Sequence, residues 1–309
     1  MEAVILSGRS IPDVASVASD VSCIQQVNRT IKSFANGEII CRINENIRGK
    51  HVFIIQSTCA PVNDNVMELL ILIDTAKRSF AEKITVICPH YGYARQDRQA
   101  DVRTPITAKL VASMIGHAGA TDIIAVDIHS TQIGGFFDIP FLNINGDIVF
   151  RQALQDVVEE NDHNVTIVSP DAGGMKRARK LAEYFNLPVA MIDKRRTGDN
   201  KAEAMHVVGA VDERNCIIYD DMVDTAGTLI EGVKALKANG ALKIHACMTH
   251  GVLSNPAKQR IYECDDLEEV IISNSIHLQK PRFGDYMGGQ KEAVELMDGN
   301  AKIREIPLG

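Results

Sequence analysis

The segment CIIYDDMVDTAGTLIEG, residues 216–232, joins an apolar, β-branched run to a helix-like pattern through two carboxylates and a cluster of small residues. Small residues at a strand-to-helix turn let backbone N–H groups face outward, and the start of the next helix adds partial positive charge. Together they can cradle a phosphate. Thr225 and Thr228 add hydroxyl donors. Asp220 and Asp221 would repel that phosphate and suit sugar hydroxyls or a metal; an ordinary capped turn is the competing reading. In HYGYARQDR, residues 90–98, Arg95 and Arg98 can take phosphate oxygens and Tyr91 and Tyr93 can support a flat ring, though a solvated charged loop has the same composition. Asp127 and His129 alternate at the end of a strand-like run, which predicts side chains on one side. With Asp171 they can hold a divalent cation such as Mg2+, which keeps waters and substrate phosphates as its other ligands; a lone His is more often structural. The stretch DKRRTGDNKAEAM, 193–205, is basic and poor in apolar anchors, which predicts a mobile loop. Beside a phosphate site, its Lys194 and Arg196 can neutralise charge in a phosphoryl-type transition state.

Most of these residues lie where a short β-branched run ends, so parallel strands followed by helices must position them. AVIL, HVFIIQS, ITVICP, IIAVDIH, VTIVSP, CIIYDD, KIHACMTH and EVIISNS recur along the chain, most of them followed by a helical pattern. That alternation implies right-handed crossovers and parallel sheets, with ligands beyond the carboxyl ends of the strands. Residues 105–119 place Ile106, Leu110, Val111 and Met114 near one helical face, and residues 228–239 place Leu229, Val233 and Leu236 at i, i+4, i+7. Residues 63–80 are apolar almost all round, which predicts a core helix, or one also buried against a second subunit. ITVICPHYGYARQDR (84–98) resembles VTIVSPDAGGMKRAR (165–179), and IIAVDIHSTQ (123–132) resembles IIYDDMVDTA (217–226). This pairing predicts an internal repeat. The expected organisation is two similar α/β domains, 1–146 and 147–309, with the last residues packing back on the first.

The chain has 309 residues and a net charge of −7, from 33 basic and 40 acidic residues. Its surface as a whole does not attract nucleic acid, so an anionic ligand needs a local basic or amide-rich site. Seven scattered cysteines form no CxxC pair, which predicts buried thiols in a reducing compartment. No secretory leader is read, and no apolar run approaches the roughly 18–20 residues of a membrane span. The expectation is a cytoplasmic protein with no membrane partner. Neither a Walker loop nor a GxGxxG fingerprint occurs.

DDMVDTAGT resembles the phosphoribosyl-diphosphate loop of type I phosphoribosyltransferases. Together with SFANGE (33–38), YARQDR, VDIHSTQIGGFFDIP (126–140), SPDAGGMKRA (169–178) and DKRR, it resembles the ribose-phosphate diphosphokinases, or phosphoribosyl-pyrophosphate synthetases, up to about residue 275. The resemblance implies two type I phosphoribosyltransferase-like domains, each a mainly parallel sheet flanked by helices. The first is the ATP side and the second the ribose 5-phosphate side. It also implies a reaction: the β,γ-diphosphoryl group of Mg-ATP moves to the 1-hydroxyl of ribose 5-phosphate, giving 5-phosphoribosyl 1-diphosphate and AMP for nucleotide biosynthesis. Residue by residue, it implies that Phe34, Asn36, Gly37 and Glu38 contact adenine from a neighbouring subunit of a homo-oligomer, a hexamer in the family. Arg95, Gln96 and His129 would bind ATP. His129 and Asp171, with Asp127 nearby, would hold Mg2+. Asp220, Asp221, Asp224, Thr225, Ala226, Gly227 and Thr228 would bind ribose 5-phosphate, joined by Arg196. Lys194 and Arg196 would be catalytic.

Departures occur at Asn46 in NIRG, where many relatives carry Ser, at SGRS, at His277, where Pro is usual, at INGD (144–147) and at KIREIPLG. They bear on phosphate activation, ADP inhibition and assembly, not on the chemistry. Two alternatives are weighed. A phosphoribosyltransferase would need neither the ATP motifs nor a second domain. A non-catalytic regulatory relative would not be expected to keep Lys194, Arg196, His129 and the acidic loop.

Overall fold

The computed structural model describes residues 1–195, 204–278 and 302–308. It divides into two compact units, Met1–Asn145 with Ser275–His277, and Gly146–Asn274 with Leu278 and residues 302–308. In the first, β1 (Ala3–Ser7) leads to α1 (Pro12–Ser22), an antiparallel hairpin of β2 (Arg29–Ser33) and β3 (Ile39–Ile43), then β4 (His51–Ile55) and α2 (Val62–Arg78). There follow β5 (Lys83–Cys88), α3 (Thr107–Ala118), β6 (Asp122–Val126), a 3-10 turn at Thr131–Phe136 and β7 (Phe141–Ile144). The second unit runs α4 (Asp147–Glu160), β8 (Val165–Ser169), α5 (Met175–Phe185), β9 (Val189–Arg195), β10 (Ala204–Val208), β11 (Asn215–Val223) and α6 (Gly227–Ala238). It closes with β12 (Ile244–Gly251), α7 (Ala257–Tyr262), β13 (Glu269–Ser273) and β14 (Ile303–Ile306).

Both sheets are parallel apart from β10, which pairs antiparallel with β9. Their central strands are apolar in continuous runs because helices cover both faces; every residue of β8 is buried. In the first unit Leu6, Ile54, Val86 and Ala125 pack with Leu69, Leu72 and Ile73 of α2 and with Val111 and Ile115 of α3. The α2 helix is a core helix with one wet side: Leu69, Leu72, Ile73 and Ala76 are buried while Met67 is exposed. In α3 the buried stripe is Ala108, Val111, Ala112 and Ile115, and Ile106 and Leu110, expected on that stripe, are exposed. Small Ala side chains let the helix lie close to its neighbours, which moves the buried face round.

Hydrogen bonding reveals a repeat different from the one the sequence suggests. The first unit's strand order is β1-β4-β5-β6-β7, and the second's is β8-β11-β12-β13-β14, with β9 and β10 added on the β8 edge. Equivalent bonds tie equivalent loops. His51 N–H donates to Glu2 O as Asn215 N–H does to Asn164 O, at 2.9 and 3.0 Å. Glu82 donates to Lys50 O as Leu242 does to Arg214 O, at 3.0 and 2.8 Å. Thr121 donates to Ile84 O as Glu268 does to Ile244 O, at 2.8 and 2.9 Å, and Asp127 donates to Ile144 O as Asn274 does to Ile306 O, at 2.7 and 2.9 Å. Hence β1 corresponds to β8, β4 to β11, β5 to β12, β6 to β13 and β7 to β14, and the β2–β3 hairpin to β9 and β10. Residues 84–98 are not the counterpart of 165–179, nor 123–132 of 217–226. In a sheet covered on both faces every strand is an apolar run that gives way to a polar cluster, so that pattern marks strand ends and not the duplication.

Ile303–Ile306 pairs with β13 as an edge strand of the second unit. The segment that joins the first unit is Ser275–His277, where Ser57 Oγ donates to Ser275 O at 2.6 Å and His277 Nδ1 lies 3.3 Å from Asp13 Oδ2. The ends of the predicted basic loop are strand: Arg195 pairs with Ala204 and Lys194 with Met205. Arg196 lies outside the described residues. All seven cysteines are free thiols, and among the described residues no helix is long and apolar enough to cross a membrane.

Candidate active site

The acidic pair lies inside β11, not after it. The last β11 residue paired with β8 is Ile218, whereas pairing with β12 continues to Val223. Asp220 and Asp221 therefore occupy an overhang where one neighbouring strand has ended. Arg177, in the first turn of α5, meets them there: its Nη1 is 3.1 Å from Asp220 Oδ1 and 3.6 Å from Asp221 Oδ1. The Asp220 carboxylate also accepts the Asp221 N–H at 2.9 Å. Burial, then the charge of Asp221, push the Asp220 carboxyl well above the usual carboxylate range, and Arg177 pulls the other way. The pair is held close against its own repulsion, a strain that a bound cation or hydroxyl donors would relieve.

After β11 the chain turns through Asp224, Thr225 and Ala226 into α6. Ala226 is 4 % exposed and left-handed at φ 59, a costly conformation for a residue with a Cβ, and it reverses the amide direction just before the helix. First-turn helix amides have no intrahelical acceptor, so this turn and the start of α6 present N–H groups and the helix dipole together. Thr225 and Thr228 are exposed beside them. Arg260 of α7 donates from Nη1 to Thr225 O at 2.9 Å, which fixes the turn and brings a guanidinium to its rim. These are the properties of an anion cradle.

The first unit carries the remaining predicted groups. Phe34, Asn36, Gly37 and Glu38 form the tip of the β2–β3 hairpin, closed by Phe34 N–H to Glu38 O at 2.8 Å, with Gly37 at φ 89 and Phe34 53 % exposed. Arg95 and Gln96 are exposed on the turn after β5. Gln96 Oε1 accepts the Thr107 hydroxyl at 2.5 Å, and its carbonyl accepts the Ala108 N–H at 3.2 Å. Asp127 and His129 do not share a side as strand alternation predicts. The strand ends at Val126 and Asp127 has φ 43, so alternation breaks; Asp127 is 4 % exposed and His129 is exposed. Asp127 is thus buried beside the strand end while His129 reaches solvent.

No group of three or more His, Cys, Asp or Glu side chains gathers as a metal cage among the described residues. The donors that do meet are carboxylates. Asp171 Oδ1 accepts the Gly174 N–H at 2.9 Å, and a methyl group placed on Gly174 would lie 3.7 Å from Asp171 Oδ1 and 3.6 Å from Asp220 Oδ1. Absence of a side chain at Gly174 leaves these two carboxylates lining one space. A few oxygen donors, with water and phosphate completing the shell, is the set Mg2+ takes.

Comparison with known proteins agrees with this geometry. Residues 3–119 match the N-terminal domain of ribose phosphate pyrophosphokinase, and residues 144–279 match the phosphoribosyl transferase domain. A ribose-phosphate pyrophosphokinase of Staphylococcus aureus is 49 % identical over 269 residues, 87 % of this chain and 84 % of that protein. The chain belongs to the ribose-phosphate pyrophosphokinase family. Another ribose-phosphate pyrophosphokinase, from Caldanaerobacter subterraneus, is 46 % identical over 301 residues, 97 % of this chain and 94 % of its own. The crystal structure of phosphoribosylpyrophosphate synthetase from Mycobacterium smegmatis superposes with a TM-score of 0.87 at 35 % identity, over 99 % of this chain and 95 % of that one.

Within this pyrophosphokinase the structure adds two arginines that sequence reasoning missed. Arg177 had a signal: KR in the first turn of α5 puts two cations where the helix dipole disfavours them, which calls for an acidic partner. Arg260 had none, since a cation in the last turn of a helix is ordinary.

Proposed function

We propose that the chain binds ribose 5-phosphate on its second unit and the nucleotide on its first, and transfers the β,γ-diphosphoryl group of Mg-ATP to the 1-hydroxyl of ribose 5-phosphate. A bond forms from the ribose 1-hydroxyl oxygen to the β-phosphorus. The bond from the β-phosphorus to the oxygen shared with the α-phosphate breaks and the hydroxyl proton passes to solvent, giving AMP and 5-phosphoribosyl 1-diphosphate. The observation that carries the sugar-phosphate assignment is the cradle at 224–228 directly after the Asp220–Asp221 overhang: amides and threonine hydroxyls for a phosphate, carboxylates for hydroxyls or a cation.

The chemistry asks little covalent work of the protein, so its residues act by positioning and by charge. Thr225, Ala226, Gly227 and Thr228 hold the 5-phosphate, and Asp224, Asp220 and Asp221 face the sugar. Arg95 and Gln96 hold the nucleotide, with His129 near its phosphates. Asp171 and His129 would be the protein groups that hold Mg2+, which would supply neutralisation of phosphate charge. Lys194 and Arg196 are assigned the transition-state charge, and Arg196 also the sugar phosphate. An adenine contact by Phe34, Asn36, Gly37 and Glu38 calls for a second copy, supported by the exposure of Phe34 at a hairpin tip. The active form is therefore a homo-oligomer, a hexamer by family likeness, in the cytoplasm, where the free thiols are stable. The test is AMP release from ATP by the pure protein, expected only with both ribose 5-phosphate and Mg2+ present. No AMP under those conditions overturns the assignment and favours a regulatory relative.

A further inference from the structure

The duplication identifies what the first unit has made of its own copy of the acidic overhang. In matched register Ser7 faces Ile55 across β1 and β4, as Ser169 adjoins Tyr219 beyond the Val168–Ile218 pair of β8 and β11. Gln56, Ser57 and Thr58 thus stand where Asp220, Asp221 and Met222 stand in the second unit. The space is closed by side chains. Gln56 Oε1 accepts the Ser10 N–H at 3.1 Å and the Ser10 hydroxyl at 2.7 Å, and beside it Arg9 Nε donates to the buried Glu68 at 2.6 Å.

The overhang's polar groups are spent on the turn after β5. Thr58 is fully buried, and a buried hydroxyl is tolerated only when bonded. Its N–H donates to His90 O at 2.9 Å, its Oγ1 accepts the Gly92 N–H at 2.6 Å, and its hydroxyl donates to His90 O at 3.2 Å. Ser57 Oγ accepts the His90 N–H at 3.0 Å. The fit admits no slack: a methyl group on Gly92 would lie 2.4 Å from Thr58 O. Beyond Gly92 the chain turns through Tyr93, left-handed at φ 64 as Leu253 is at φ 49 in the equivalent place, and then presents Arg95 and Gln96. The segment after β5 touches the first turn of α2, through Tyr93 Oη to Asn63 Oδ1, and the segment after β12 touches the turn before α6, through Arg260 to Thr225 O.

We propose that Thr58 is a positioning residue for the nucleotide: the first unit's copy of the strand end that carries the acidic pair in the second has become the mount of the turn that carries Arg95 and Gln96. The inference rests on the assignment of that turn to ATP. Thr58→Val keeps the shape and removes the acceptor of the Gly92 N–H. The KM for ATP is expected to rise about tenfold or more, while the KM for ribose 5-phosphate stays within about twofold, and Thr58→Ser, which keeps the hydroxyl, is expected to restore the wild-type value. Titration of Mg-ATP into each variant by calorimetry should show the same order. A change shared equally by both KM values, a lowered melting temperature with an unchanged ATP KM, or no rescue by Thr58→Ser overturns the proposal. Should Thr58→Val fail to fold, Thr58→Cys, a weak acceptor of similar size, carries the same split at about threefold. Failure of the functional reading is separable: it would show as absence of AMP release by the wild type, before any variant is compared.

Discussion

Replacing Arg177 by Met tests the acidic overhang most directly. The guanidinium is 17 % exposed, lies 3.1 Å from Asp220 and 3.6 Å from Asp221, and those carboxylates are 24 % and 4 % exposed. Removing one partner of a fully buried pair costs about 3–5 kcal/mol, and partial exposure here brings the expectation to about 2–3 kcal/mol. At roughly 2–4 °C per kcal/mol for a unit of this size, the transition involving the second unit should fall by about 4–12 °C. The pH dependence has a definite sign. The Asp220 pKa is raised in the folded protein, so the folded state holds a proton that the unfolded state has lost. Stability from this group therefore falls as pH rises from the ordinary carboxylate range towards the folded pKa. Arg177→Met raises that pKa further, so its penalty grows from pH 5.5 to pH 8 and shrinks on acidification. Arg177→Lys, which keeps a point charge and loses the fork, should lie between. Thermal melts at the two pH values, with ribose 5-phosphate KM alongside, are the assay. A penalty independent of pH, or one larger at pH 5.5, would refute the reasoning.

Lys194→Ala should lower kcat by at least ~10²-fold with little change in ATP KM, as for loss of a contact made in the transition state; an unchanged kcat in a steady-state assay would remove its catalytic role. Glu269 is held down to about 2 by His245, 3.5 Å away, and by Arg304 at 3.0 and 3.1 Å, against its burial. Its stability contribution is present above the ordinary carboxyl pKa of 4.5 and is lost as pH falls towards about 2. Glu269→Gln should cost about 1–2 kcal/mol at pH 7, discounted because Arg304 is half in solvent, and should flatten the melting curve between pH 5 and pH 2.5; an unaltered acid slope would count against it.

The turn at DDMVDTAGT was legible because its chemistry is written in one contiguous run, whereas SFANGE entered only through the family resemblance and its place at a hairpin tip came from the structure. What the sequence hid depends on segments far apart along the chain. Arg177 reaches Asp220 across 43 residues and Arg260 reaches Thr225 across 35. The duplication was misaligned because residue types at strand ends follow from sheet burial, and only hydrogen-bond register separates one strand end from another. Asp127 lies just past the end of β6 with φ 43, so strand alternation does not set the sides of Asp127 and His129.

Chain order also affects synthesis on the ribosome. The second sheet is completed by Ile303–Ile306, and Ser57, fixed in the first quarter of the chain, gives its hydroxyl hydrogen to the carbonyl of Ser275. A nascent chain that has emerged only as far as residue 274 therefore has a first unit without one of its buried hydrogen bonds and a second sheet with an open edge on β13. Neither unit reaches its final form in the order in which it is translated. A stalled or prematurely ended polypeptide would present an apolar strand edge to the cell instead of one finished domain.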